Sequence, residues 1–254
     1  MGRKEQLKNT AEKHTESMDR LFGDQIKKSI AETHLYSTEF SRAEKAERSA
    51  SFALEQSYSQ DSIRRNAGKG RLAVMNFASY RHAGGGFING AVAQEEAICH
   101  SSFLYNILRE FPEYYKWNEA NYNRGLYMNR ALYSPEVYFF GDNYESFVSA
   151  DVITCAAPNR SVMLGKGRFT EEENEEALKD RIRFIRDICD TEGVDILIAG
   201  AYGCGVFAQK AETVACAFRE VFGDTKVKEV VFAVPPDKNY AAFEREFGAA
   251  RNIL

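Results

Sequence analysis

The chain has 254 residues, 44% hydrophobic and 28% charged, with 18 glycines and 5 prolines. That excludes a low-complexity or collagen-like chain and suits one large α/β domain, or a compact domain with a helical annex. The net charge of −4 and a pI near 5.7 offer no basic face for sequence-specific nucleic-acid binding. A polyanion would have to be held locally, by backbone amides and a few cations.

Residues 3–32 are polar, with Leu7, Met18, Leu21, Phe22, Ile26 and Ile30 in a thin apolar stripe near helical spacing. They are expected to form one or two surface helices packed on the core that follows. Residues 34–50 combine a short strand, 34–37, with a charged stretch. From Ser51 strands and helices alternate. SFALEQ is a short strand, DSIRRNAG from Asp61 a helix ending on Gly68, and 71–79 a buried strand running into a loop. One long helix is expected from Ala91 to Glu110. The aromatic-rich stretch 111–133 has no clean period and reads as an irregular insertion.

Strands follow from Glu136 (EVYFFGD) and Ala150 (ADVITCAAP). Residues 170–193 read as an amphipathic helix, with Thr170 as N-cap, acids in the first turns and Gly193 at the end. A β-branched strand from Val194 breaks into a glycine-rich loop, and a helix is expected from Ala208. VKEVVFAVPP from Val227 is the last strand and DKNYAAFEREFG from Asp237 the last helix. This alternation implies a mainly parallel sheet covered on both faces. We divide the chain into a helical extension, 1–50, and one α/β domain, 51–254.

The five cysteines, Cys99, Cys155, Cys189, Cys204 and Cys216, are scattered and contain no CxxC pair. This argues against a disulfide framework and against a zinc site, and fits reduced thiols in a cytoplasmic protein. The start, MGRKEQLKNTAEKHTES, has no apolar run, so no signal peptide is expected, and residue 6 is not the Ser or Thr of a myristoylation signal. No stretch approaches the roughly 18 apolar residues of a membrane span. The expected state is a monomer.

Ligands of open α/β sheets bind at the carboxyl ends of the strands, and two strand ends carry unusual loops. The first runs from Asn76 through Gly84, Gly85 and Gly86 to Gln94, Glu95 and Glu96. Three glycines permit positive φ and let a ligand approach the backbone closely. Read alone, the segment is more simply a flexible turn followed by acids that suit a helix dipole. The second is GAYGCGVF, Gly200–Phe207, where a strand, a glycine turn and a helix start together suggest an anion site. It lacks the GK[ST] of a Walker loop and the spacing of a dinucleotide fingerprint. His82 and His100 read as structural histidines. Cys204 has no basic neighbour in sequence and does not read as a nucleophile. The acids 171–176 read as a solvated first turn.

The string GGG-x7-QEE, Gly84–Glu96 here, resembles the signature of the poly(ADP-ribose) glycohydrolases. The flanks NFASYRHAGGGF and SSFLY resemble the bacterial-type branch, and GAYGCGVF resembles the family's diphosphate loop. The resemblance covers roughly residues 70 to 240; the first fifty residues resemble the branch's helical extension only loosely. It implies a three-layer α/β/α macrodomain with a mixed, mainly parallel sheet, and hydrolysis of ribose–ribose O-glycosidic bonds to release ADP-ribose. It implies that Glu96 is catalytic and that Glu95 positions the ribose hydroxyls. Asn76 and Ser79 would approach the distal ribose. Gly203, Cys204, Gly205 and Val206 would wrap the diphosphate, with Gly200 and Tyr202 in the same loop and Phe207 packing on the ribose. No cofactor and no metal is implied.

The chemistry fits these residues independently. Breaking a glycosidic bond needs a proton on the leaving oxygen and an activated water at C1, and one carboxyl group, Glu96, can serve as acid and then as base. Two other readings stay open at this point. One is a macrodomain that binds ADP-ribose without cutting it. The other is a mono-ADP-ribosyl hydrolase acting on modified macromolecules.

Overall fold

The computed structural model describes residues 2–248 except 43, 47, 142 and 143. Asp142, the end of the strand expected from Glu136, therefore lies outside the described residues, as do Ala43 and Glu47 of the charged stretch. In chain order the elements are α1 (Arg3–Ala31), β1 (His34–Tyr36), β2 (Ser51–Glu55), α2 (Ser59–Asn66), β3 (Leu72–Phe77), α3 (Gln94–His100), α4 (Leu104–Leu108) and α5 (Pro112–Ala120). They continue with β4 (Ala131–Phe140), β5 (Phe147–Cys155), α6 (Arg160–Lys166), α7 (Glu171–Glu192), β6 (Ile196–Ala199), α8 (Ala211–Val221), β7 (Glu229–Ala233) and α9 (Tyr240–Phe247).

The seven strands form one mixed sheet in the order β1-β4-β5-β3-β6-β7-β2. The β1–β4 and β4–β5 pairs are antiparallel and the rest parallel. Because strand side chains alternate, β3 feeds both faces: Ala73 and Met75 enter one core, Leu72 and Val74 the other. Leu178, Ile182 and Ile185 of α7, Phe218 of α8 and Phe243 of α9 cover the first face. Met18 of α1, Ile98 of α3 and Ile107 of α4 cover the second. This is the expected three-layer arrangement. No helix among the described residues is long and apolar enough to cross a membrane.

Residues 3–31 form one helix, kinked where Phe22 leaves helical geometry (φ −129°). β1 then joins the sheet as an edge strand, so the first fifty residues contribute both a helix and a strand.

Four expectations are corrected. The long helix from Ala91 to Glu110 is two short ones, and the first starts at Gln94. The break falls at buried Ser102, whose hydroxyl donates to Ile98 O (2.7 Å) and accepts from Leu104 N (3.1 Å). The freed backbone pairs with β4 instead: Phe140 N donates to Ser101 O at 2.7 Å. Second, the supposed irregular insertion holds α5, started by Pro112 in the first turn, where its missing N–H costs nothing. Third, β4 begins at Ala131, five residues before the expected start. A register shift between Ser134 and Val137, with Glu136 at φ +54°, interrupts its alternation. Fourth, α8 starts at Ala211 rather than Ala208, so the glycine-rich loop runs on past Phe207 before the helix begins. The helix from Thr170 stands as expected: Thr170 and Glu173 form a capping box and Gly193 closes it at φ +71°.

Candidate active site

β3 delivers the first functional residue. Asn76 is fully buried, and its Nδ2 donates to Glu95 Oε1 (3.1 Å) and Thr154 Oγ1 (3.3 Å). The strand then ends, and its next free amides are taken by the start of α3. Phe77 N donates to Gln94 Oε1 (2.8 Å) and Ser79 N to Glu95 Oε2 (2.6 Å). The Gln94 amide also donates to Met75 O (2.8 Å) and Ser59 Oγ (3.1 Å). Gln94 is thus a brace that ties α3 to β3 and α2, and both carboxylate oxygens of Glu95 are occupied.

Glu96 differs. Its Oε1 accepts from Gly86 N at 2.7 Å, while its Oε2 is buried with no partner. The three glycines are what allow this. Gly84 and Gly85 lie at φ +63° and +60°, a region that disfavours side chains. A methyl group on Gly85 would sit 2.6 Å from Glu96 Oε1 and 2.7 Å from Glu95 Oε2, so the loop backbone presses directly on both carboxylates.

The two acids are 4% and 6% exposed. Desolvation raises the Glu95 carboxyl to about 8, and the nearby Glu96 charge adds to the rise, against lowering by the Ser79 amide and Asn76. Burial therefore keeps the Glu95 carboxyl largely protonated at neutral pH.

Beside the carboxylates lies a cavity of about 510 Å³ at the carboxyl ends of the parallel strands. Its size falls in the range of small-molecule sites. Of the residues singled out from the sequence, Gln94, Gly203, Gly205, Val206 and Phe207 line it. Asn76, Ser79, Glu95, Glu96 and the three glycines of residues 84–86 do not line it; they form the adjoining buried cluster. Three residues of the second loop also stay out of the cavity. A methyl group on Gly200 would sit 2.7 Å from Ala233 O, so only glycine lets the chain pass there. Tyr202 is fully buried and donates to Cys155 O (3.0 Å). Cys204 is buried, its thiol pushed up to about 12 by desolvation, which fits an inert sulfur. Among the described residues no group of three His, Cys, Asp or Glu side chains is placed to hold a metal ion.

The opposite wall was not read from the sequence. It is built from Tyr58, Ser59 and Gln60 at the start of α2, and from Pro235, Asp237 and Asn239 after β7. The usable signal was positional: both segments follow the carboxyl ends of parallel strands.

A mixed, mostly parallel seven-stranded sheet with two glycine-rich loops at its carboxyl ends, one pressing on a buried acid pair, defines a macrodomain-like α/β hydrolase. Residues 5–142 match the family model "Microbial-type PARG, catalytic domain", and the chain belongs to that family. Solved structures agree. The poly(ADP-ribose) glycohydrolase (PARG) of Thermomonospora curvata is 28% identical, with a TM-score of 0.85 over 96% of this chain and 100% of that one. The same enzyme bound to the inhibitor ADP-HPD gives a TM-score of 0.83, at the same identity and coverage. The Deinococcus radiodurans enzyme in complex with ADP-ribose is 27% identical, with a TM-score of 0.78 over 87% of this chain and 96% of that one. No curated protein matches the sequence.

Proposed function

We propose that this chain is a poly(ADP-ribose) glycohydrolase in which Glu96 is the general acid and base. The observation that carries the assignment of Glu96 is the contrast between two neighbouring carboxylates. Both oxygens of Glu95 are held by the protein, while Glu96 keeps one buried oxygen without a partner. A buried acceptor left unsatisfied is costly, and a substrate hydroxyl or leaving oxygen is the group that would satisfy it.

The reaction then runs as follows. The cavity takes the ADP-ribose unit to be released, with its diphosphate against the loop backbone at Gly203, Gly205 and Val206. Glu96, as the general acid, delivers a proton from Oε2 to the leaving ribose oxygen as the C1–O bond breaks. The oxocarbenium-like ribose is attacked at C1 by water, whose proton returns to Glu96. Glu95, tied to Asn76 and the Ser79 amide, is rigid enough to orient ribose hydroxyls beside the cavity.

The test is release of ADP-ribose from poly(ADP-ribose), wild type against Glu96→Gln. The variant is expected to lose at least about a hundredfold in kcat while still binding ADP-ribose. Cleavage at the wild-type rate would refute the assignment of Glu96. Tight ADP-ribose binding by the wild type with no product would instead favour a non-hydrolytic reader. Release only from mono-ADP-ribosylated macromolecules would favour the third reading.

A further inference from the structure

Phe207 belongs to two surroundings. On one side it lines the cavity. On the other its ring meets Tyr127 (centroids 5.8 Å, 67° between planes). Tyr127 stacks flat on Tyr80 (3.9 Å, 10°), and Tyr122 meets Tyr127 at 5.4 Å. Over the Tyr122 ring, at 4.7 Å, lies the guanidinium of exposed Arg81. None of Tyr80, Arg81, Tyr122 and Tyr127 lines the cavity, so the group continues beyond it, past Phe207.

Two further observations set this group apart. Arg81 is two residues from Ser79, whose amide holds Glu95, and the Arg81 amide itself donates to Ser79 Oγ (3.3 Å). The tyrosine platform is also built under strain. Asn123, Arg124 and Tyr127 all have left-handed φ, +44°, +60° and +62°. Such strain persists only where surroundings enforce it, and it clusters at functional sites. Buried Arg181, 1% exposed, braces the segment's far end by donating to Asn129 Oδ1 (2.6 Å), Leu126 O (3.4 Å) and Ala156 O.

We propose that Arg81, laid on Tyr122, binds the diphosphate of the polymer unit next to the one being released. The inference rests on the glycohydrolase reading above and adds a second binding site to it. A guanidinium stacked on an aromatic ring is held in one plane while its N–H edge stays free to grip phosphate in a bidentate manner. Arg81 forms no ion pair with a carboxylate among the described residues, and Glu173, the acid near the tyrosine loop, is already paired with Arg124 at 2.9 Å. In a chain of net charge −4, a free local cation is what a polyanionic substrate requires.

The experiment measures binding in the Glu96→Gln background, so that nothing is cut, with defined-length poly(ADP-ribose) and with free ADP-ribose as separate probes. Arg81→Ala is expected to weaken polymer binding about tenfold, while the Kd for ADP-ribose changes by less than about twofold. The salt slope of polymer binding should fall by about one. Arg81→Lys, which keeps the charge and loses the planar fork, should lie between. Equal loss for both ligands would overturn the proposal, since Arg81 would then only shape the glycine loop; so would an unchanged polymer affinity. Polymer that binds Glu96→Gln in an Arg81-dependent way, with no ADP-ribose released by the wild type, would refute hydrolysis and leave this binding site standing.

Discussion

Glu95 and Glu96 are adjacent in sequence, yet each meets different chemistry. On a regular helix neighbours diverge by about 100°. At the first turn of α3 the loop folds back over both, and that loop supplies the Gly86 amide to one and the Ser79 amide to the other. The glycine at 85 is therefore required twice, for its φ of +60° and for the space over the acids. Gly85→Ala should displace both carboxylates. We expect kcat to fall about a hundredfold or more, as misplacement of about 1 Å commonly does, with a smaller loss of ADP-ribose affinity. Steady-state kinetics beside an ADP-ribose titration would show it; wild-type kcat in that variant would contradict the geometry.

The Glu95 carboxyl also links stability to pH. Its folded value, about 8, lies above the ordinary 4.5, so the folded state holds a proton that the unfolded chain releases. The sign follows: this contribution is complete below about pH 4.5 and is lost as pH rises through about 8. The loss across that window is on the order of a few kcal/mol. Urea midpoints from pH 5 to 8.5 should fall for the wild type, and the fall should flatten in Glu95→Gln. An equal slope in both proteins would place the titration elsewhere.

At the scale of elements, what was legible follows from where the causes lie. α7 could be read because its ends are coded locally: Thr170 bonds Glu173 N (3.2 Å), Glu173 reaches back to Thr170 N (2.8 Å), and Gly193 takes left-handed geometry. The two glycine loops could be read for the same reason, and the acid cluster of the site sits within one contiguous segment. The break at Ser102 could not be read. Helical periodicity runs through it, and the competitor that wins is tertiary pairing with Phe139 and Phe140 on β4. The bulge at Glu136 hid β4 in a similar way. The far cavity wall came from short segments of no special composition, brought together only by the order of strands β2 and β7 beside β6. The local code of α7 has a measurable weight. Thr170→Ala should lower stability by about 1 kcal/mol and leave kcat unchanged, read from denaturant midpoints and an activity assay. A change in kcat with no change in stability would mean that the start of α7 serves the site and not the fold.

At the scale of the molecule, α1 runs from the glycine loop of the site to the edge of the sheet. Near its start, Lys4 O lies 2.5 Å from where a methyl on Gly90 would be, so helix and loop backbone touch. In its middle, His14 Nε2 is 2.8 Å from Ser102 O, the residue at which the α3–α4 helix breaks, and Asn106 Nδ2 donates to Thr15 O (2.9 Å) and Asp19 Oδ1 (2.8 Å). Near its end, Ser29 Oγ donates to Pro135 O (2.6 Å) at the β4 bulge. Between these points Ala11, Met18 and Ile26 are buried in the second core. Removing residues 2–32 would expose that core and release the end of the loop that presses on Glu95 and Glu96. A chain starting at residue 33 should therefore lose cooperative unfolding, and with it ADP-ribose binding. Met18→Ala should cost about 2–5 kcal/mol, leaving the activity per folded molecule intact. Calorimetry and ADP-ribose titration of the three proteins separate the alternatives. A truncated chain that unfolds at the wild-type midpoint and binds ADP-ribose normally would make α1 a dispensable annex, and the acid pair would then be held in place by the sheet and the α3 loop alone.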